Sequence, residues 1–411
     1  MTNSNNEGVR AVRKISIRLL FLSVFQIFVS SLMIQSDFRW FTFDDGPGRN
    51  SPFVNSVPKF SDFYQIFSYA QNSDPYTYTK SGYPPFGHEF LAPLTFFNSD
   101  VALMIFLGAS FGLLIASVVT VVANSINVFG MNYSDFLSIG LLCFSFPILF
   151  AADRGNIDIL IIGMLIVVID LHHRGKRTFA SIILGLAMAI KIYPIVLLLF
   201  FLRFKNGTMF TIRALGVAAF ATVFATWRSV GLSRDSISMI LASVSGDGGI
   251  VLEPKYGAWS TSITGFISAL RQSTSGIFPS AATDIYFLKL RIVLLILVLL
   301  FCAAIALFAR SKTEMMIGSV SLALLLPTIS YQYKAALLLL PVMISIQENS
   351  AVLMDKKLVW PFALAMGPTV WWFFGDGLAN SSSLITVLSL LYIVFSVGFS
   401  LSIRDRRLLF T

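Results

Sequence analysis

A polar, aromatic-rich stretch, 61–85 (SDFYQIFSYAQNSDPYTYTKSGYPP), interrupts an otherwise apolar chain. It sets Asp62 and Asp74 among aromatics and ends in Tyr83-Pro84-Pro85. A carboxylate held by aromatics and prolines at a membrane face can take a proton from an acceptor hydroxyl. Long ordered loops are uncommon unless they have a function. Asp62 is the first candidate for such a base. The same residues also suit a structural role. Phe63, Ile66, Phe67 and Ala70 follow helical spacing, so Ser61 or Asp62 can cap an amphipathic interfacial helix.

Other residues stand out by type and place. Lys191 lies inside an apolar run, and a charge at membrane depth marks a functional site by default. At a helix break it can bind a phosphate, as a compact cation with three donors; otherwise it snorkels to the interface. Arg154 lies between Asp153 and Asp158 and can be a paired loop charge. Asp44-Asp45 can share a proton or bind a metal, although Asp-Asp-Gly-Pro-Gly is a strong turn composition. His88, after the stiff Pro84-Pro85, suits either a direct role or an interfacial anchor. Tyr331, Tyr333 and Lys334 join two apolar spans, where aromatics often form a belt. Lys255, Tyr256 and Trp259 suit a lid or a similar belt. P-loop, dinucleotide, zinc-protease and serine-hydrolase motifs are absent.

The elements that position these residues are membrane helices. Of 411 residues, 56% are hydrophobic and 12% charged, about half the charge of a soluble protein. The expected fold is all-α, a polytopic integral membrane protein of about 11–12 segments, since each span needs about 20 apolar residues. The apolar runs are 15–35, 100–123, 135–151, 157–171, 209–230, 286–309, 314–329, 335–347, 358–374 and 383–403, plus 178–203. The first reads as an uncleaved anchor. Cys143 and Cys302 both lie in apolar runs, which supports neither a disulfide framework nor a metal site. The net charge of +9 fits cationic cytoplasmic loops better than nucleic acid.

The segment 178–203 decides the topology. As one span it would carry Arg203, Lys205, Arg213 and every later basic loop to the outside. As a re-entrant or broken hairpin, hinged at Lys191-Ile192-Tyr193-Pro194, it keeps them all inside, as the positive-inside bias prefers. Pro194 favours the break. Both termini are then cytoplasmic. The outer face collects the loops 36–98 and 231–285, the Asp153–Asn156 turn, Lys191 and most of the acidic residues. The chain reads as a single domain, 1–411, with no internal repeat of the transporter kind.

Asp62-Phe63, Ala70, Pro75-Tyr76, Tyr83-Pro84-Pro85, Gly155-Asn156, the run from Gly185 to Lys191-Ile192-Tyr193-Pro194, and the Ser330-Tyr331 turn together form a pattern. It resembles glycosyltransferase family 87, of the GT-C superfamily of integral-membrane glycosyltransferases, over about residues 10–350. The resemblance implies an α-mannosyltransferase-like enzyme of the plasma membrane, active on its extracytoplasmic side. It implies a polyprenyl-phosphate sugar donor and a glycolipid or glycan acceptor, among membrane lipids and without nucleic acid. Transfer would be a single inverting displacement with Asp62 as base. Lys191, Lys334 and Arg154 would meet the donor phosphate. Tyr76, Tyr83, Tyr193, Tyr331 and His88 would line the sugar and acceptor pocket. No cofactor is implied and no metal is required, Asp44-Asp45 leaving a small opening for one. Family members often carry Trp and His in the late turn, where Tyr331, Tyr333 and Lys334 stand here; that departure bears on the donor or acceptor. The rival reading is a multi-pass transporter or flippase of envelope lipids or glycans; it predicts charges lining a path near mid-membrane, and the apolar spans carry few. A third is a non-catalytic envelope assembly protein.

Overall fold

Apolar runs without solvent to satisfy their backbone must close their hydrogen bonds internally, and helices do so within one segment. The computed structural model describes residues 7–35, 42–43, 46–47, 60–72, 76, 83–129, 133–238, 262–274, 281–327, 332–350, 352–367 and 381–409. Among these the fold is all-α, with a two-residue antiparallel pairing of Thr42–Phe43 and Gly46–Pro47. Asp44-Asp45, Lys255, Tyr256, Trp259 and Tyr331 lie outside the described residues. Three described helical stretches are long and apolar enough to cross a membrane: Ser99–Ser125, Gly207–Ser229 and Tyr286–Phe308. Shorter apolar helices include Arg177–Ile190, Tyr193–Leu202, Tyr333–Gln347, Lys357–Met366 and Ile385–Phe399.

The chain packs as two compact units. One comprises Pro58–Val119 and Ala151–Leu252 and holds the candidate site. Its elements, numbered within the whole chain after α1 (Glu7–Gln35), are α2 (Ser61–Gln71), α3 (Pro85–Leu91) and the start of α4 (Ser99–Phe129). After α5 (Tyr133–Cys143) and α6 (Phe146–Asp153) come α7 (Asp158–His173), α8 (Arg177–Ile190), α9 (Leu198–Leu202) and α10 (Gly207–Ser229).

Local chemistry sets these boundaries. The Asn98 side chain accepts the Val101 N–H at 2.9 Å and starts α4. Pro85 occupies the first turn of α3, where a missing N–H costs nothing. At the end of α7, Gly175 sits at φ +77°. Its N–H reaches the His172 carbonyl (3.0 Å) and the Lys176 N–H reaches Leu171 (2.8 Å), the paired bonds of a glycine-terminated helix. Gly185 lets α8 and α10 touch: a β-carbon there would lie 2.6 Å from the Ala214 carbonyl oxygen. The opposite side of α10 exposes Ile212 (59%), Phe220 (73%) and Trp227 (63%), an apolar face suited to lipid.

The hairpin expected at 178–203 is present. Helix α8 ends at Ile190, Lys191 is extended (φ −144°, ψ 140°), and the chain returns through a 3₁₀ turn, Tyr193–Leu197, and α9. An Arg177 guanidinium nitrogen donates to the Lys205 carbonyl at 2.8 Å. An unbroken helix would hold those residues about 40 Å apart. The expected span 135–151 is instead two helices, α5 and α6, parted at Phe144-Ser145. Pro147, in the first turn of α6, has no N–H to continue the helix from α5.

The other unit comprises Met1–Val57, Thr120–Phe150 and Glu253–Thr411. The helix Lys312–Leu325 forms its centre, buried from Thr313 to Leu325 and started by a reciprocal Ser311–Glu314 cap. It packs on Ala281–Phe308, Leu339–Gln347 and Ser381–Leu409, while α1 packs on α5, Leu339–Gln347 and Lys356–Met366. The Ser16 hydroxyl of α1 donates to the Ser138 carbonyl of α5 (2.6 Å), and Arg18 stacks over Trp360. Ile292, Ile296 and Leu300, about one turn apart, make an exposed stripe on Ala281–Phe308.

Candidate active site

The site is assembled by a turn, a helix start and a helix break that are far apart in sequence. The turn is Asp153–Asn156. Its Arg154 carbonyl accepts the Asp62 N–H (3.0 Å) and the Phe63 N–H (3.4 Å), and the Asp153 carbonyl accepts the Phe60 N–H (2.9 Å). The first amides of α2 are therefore capped by the turn's backbone. The expected side-chain cap is not what forms: Phe60 holds the cap position at φ 56°, without a side-chain bond. Phe63 is fully buried, its ring 5.4 Å from Phe67 and 5.2 Å from Phe106. Burying such a ring contributes about 2–3 kcal/mol, and it anchors α2 on its inner face.

With its backbone so held, the Asp62 side chain is directed to the same turn. Arg154 Nε and one terminal nitrogen both donate to Oδ1, at 3.0 and 2.5 Å. Asn156 Nδ2 donates to Oδ2 at 2.6 Å. A carboxylate accepts about four hydrogen bonds, so Oδ2 keeps capacity for a hydroxyl. The other half of the site centres on Lys191, at the C-terminal end of α8. Its Nζ donates to Asp158 Oδ1 at 2.9 Å and to Asn156 Oδ1 at 3.2 Å. It also lies 5.2 Å from the centre of the Tyr83 ring. The Tyr193 hydroxyl donates to Asp158 Oδ1 at 3.1 Å. The Lys191 side chain is 13% exposed and that of Asp158 0%, so this ion pair is desolvated, more so than the Arg154–Asp62 pair, at 32% and 13%.

Asp62, Arg154, Lys191, Tyr83 and Tyr193 thus come together as one cluster. Arg154, expected at a donor phosphate, grips Asp62. Tyr76 and His88 are buried and packed against Tyr83: the Tyr76 hydroxyl donates to the Tyr83 carbonyl at 2.8 Å. The His88 ring meets Tyr69, Tyr76 and Tyr83 edge-on at 5.6–6.2 Å. Burial lowers the His88 pKa to about 4. Burial, then the charges of Asp62 and Asp158, raises that of Tyr83. Both rings are neutral at physiological pH. Lys334 belongs to the other unit, on the 3₁₀ turn Gln332–Leu338. Asn156 and Asp158 were not singled out by sequence as site residues. Their signal was the spacing Arg-Gly-Asn-x-Asp at the mouth of an apolar run. Among the described residues, no three His, Cys, Asp or Glu side chains gather as a metal-ligand set.

One end of the helices carries all of this: the start of α7 and the ends of α8 and α10, the last through an Arg228–Glu89 contact at 3.5 Å. The other end carries Arg174, Lys176, Arg177, Arg203 and Lys205.

The model of glycosyltransferase family 87 matches residues 82–341. The chain belongs to glycosyltransferase family 87. It is a membrane glycosyltransferase. No curated protein matches it. The stretch matched to family 87 contains Tyr83, Arg154, Asn156, Asp158, Lys191, Tyr193 and Lys334, and begins after Asp62, which bonds Arg154 and Asn156.

Proposed function

We propose that this enzyme moves a hexose, mannose in the first instance, from a polyprenyl-phosphate sugar to a glycolipid or glycan acceptor. The observation that carries the reading is the Asp62 carboxylate. It is fixed on Oδ1 by Arg154, fixed once on Oδ2 by Asn156, and linked through Asn156 to the Lys191 ammonium. A base and a cation set by one amide suit a reaction that removes a proton at one atom and leaves charge at another.

The acceptor hydroxyl attacks the anomeric carbon while Asp62 Oδ2 takes its proton. The bond from that carbon to the phosphate oxygen breaks, its electron pair leaves with polyprenyl phosphate, and the anomeric centre inverts. Lys191 meets the developing phosphate charge in a poorly solvated setting where such contacts are strong. Arg154 acts on the base, holding it in one orientation. Tyr83 and Tyr193 flank the ammonium, and the expected pocket residues Tyr76 and His88 support Tyr83 from within. The basic end of the helices opposite the site favours an extracytoplasmic active site and cytoplasmic termini in the plasma membrane.

Purified protein in liposomes, given radiolabelled polyprenyl-phosphate mannose and envelope glycolipids, tests this. Wild type is expected to yield labelled product, and Asp62→Asn to lose at least about 100-fold in rate while keeping its elution profile in detergent. Full activity in Asp62→Asn would remove Asp62 as base. No product from wild type, with mannose or with a panel of other donors, would remove the donor class.

A further inference from the structure

Asn156 is fully buried between two ion pairs, and its amide has only one workable orientation. Oδ1 receives two donors, Lys191 Nζ at 3.2 Å and the Asp158 backbone N–H at 2.9 Å. Nδ2 must then face Asp62 Oδ2, at 2.6 Å. Flipped, the amide would present its oxygen to a carboxylate and its NH₂ to an ammonium. Asp158 supports this from behind. It is fully buried; its N–H holds Asn156, its Oδ1 holds Lys191 and Tyr193, and none of its hydrogen bonds goes to Asp62. Its Oδ2 has no hydrogen-bond partner among the described residues. A buried ion pair with an unmatched oxygen is a poor device for stability, since apolar residues of similar volume do as well or better. What it supplies here is a fixed place for the ammonium and a fixed direction for the amide.

We propose that Asn156 and Asp158 are positioning residues that set the base Asp62 and the cation Lys191 as a single unit. Asp158 fixes Lys191; Lys191 and the Asp158 N–H fix the amide of Asn156; the amide fixes the Asp62 carboxylate. Neither residue need touch substrate. The inference rests on the roles given above to Asp62 and Lys191.

A double-mutant cycle on Asp158→Asn and Lys191→Met, read twice, tests it. The first reading is the melting midpoint in detergent. Each single variant strands a partner and is expected to melt lower, and the double variant to recover most of the loss. Additive losses would overturn the pairing. The second reading is kcat/KM in liposomes. Asp158→Asn is expected to cost about tenfold or more in wild type and almost nothing further once Lys191 is Met. An undiminished second loss would mean that Asp158 does not act through Lys191.

Asn156→Asp probes the last link without depending on the folding of those variants. It replaces the donor facing Asp62 Oδ2 with a carboxylate oxygen, within a setting whose other charges are Arg154, Lys191 and Asp158. A like charge there disfavours ionised Asp62, so the acid limb of the kcat profile is expected to move up by about one pH unit. A limb that stays in place would overturn the Asn156 assignment. Coupled stabilities with no transfer by wild type from any donor would instead refute the roles of Asp62 and Lys191, and this proposal with them. Normal wild-type transfer with additive losses would refute this proposal alone.

Discussion

Gly155 sits at φ +62°, and a β-carbon on it would come within 2.7 Å of the Phe63 β-carbon. Both facts exclude a side chain, because the turn lies directly on the buried face of α2. Gly155→Ala is expected to destabilise the protein by about 1–3 kcal/mol, seen as a lower melting midpoint. Because Arg154 and Asn156 flank this glycine and hold Asp62, transfer should fall further than the lost folded fraction explains. In the sequence Asp62 stood out by its polar, aromatic setting and Lys191 as a charge inside an apolar run, while Arg154 read as a paired loop charge. Asn156 and Asp158 were less conspicuous. An amide and an acid after a glycine look like an ordinary solvated turn, and their burial follows only when Asp62, 94 positions before Asn156, and Lys191 and Tyr193, 33 and 35 positions after Asp158, close over them. The pairing of Arg154 with Asp62, 92 positions away, is likewise a product of the fold.

At the scale of elements, α3 is tied to α2 and to the Tyr83 turn through the buried His88 ring. Burial lowers its pKa from 6.5 to about 4. Above pH 6.5 the ring is neutral folded or unfolded, and contributes no pH dependence. Between pH 6.5 and 4 the unfolded chain takes up a proton that the native protein excludes, so stability falls as pH drops, by about 3 kcal/mol across the window. The melting midpoint should decline over that range in wild type, and less steeply in His88→Phe; equal slopes would separate His88 from the effect. Among helices, the break at Lys191 could be read because Pro194 and the later basic loops agreed on it. The break between α5 and α6 was missed because Phe144-Ser145-Phe146-Pro147 continues an apolar run without a charge to mark its ends. Hydropathy sees length and composition; a backbone that loses one N–H at a proline leaves little trace in either.

For the whole molecule, orientation follows from the hairpin. If the basic end of the helices is cytoplasmic, a cysteine at exposed position 206 is beyond the reach of an impermeant reagent. Asn206→Cys, in a background lacking the buried Cys143 and Cys302, is expected to label only after permeabilisation. Labelling of intact cells would invert the proposed face of the site. The all-α membrane class was legible from composition alone, whereas the division of the chain into two units of interleaved segments was not: it depends on which helices pack together, and apolar runs of similar composition do not announce their neighbours. The return leg of the hairpin, Tyr193–Leu202, spans about 17 Å, roughly half the hydrocarbon thickness. A leg this short needs neighbours to cover it: its 3₁₀ turn packs on α8, and α9 packs on α10. The cation therefore follows its carboxylate in synthesis, Lys191 emerging 33 residues after Asp158, and the candidate cluster closes only once α8 has packed on α7.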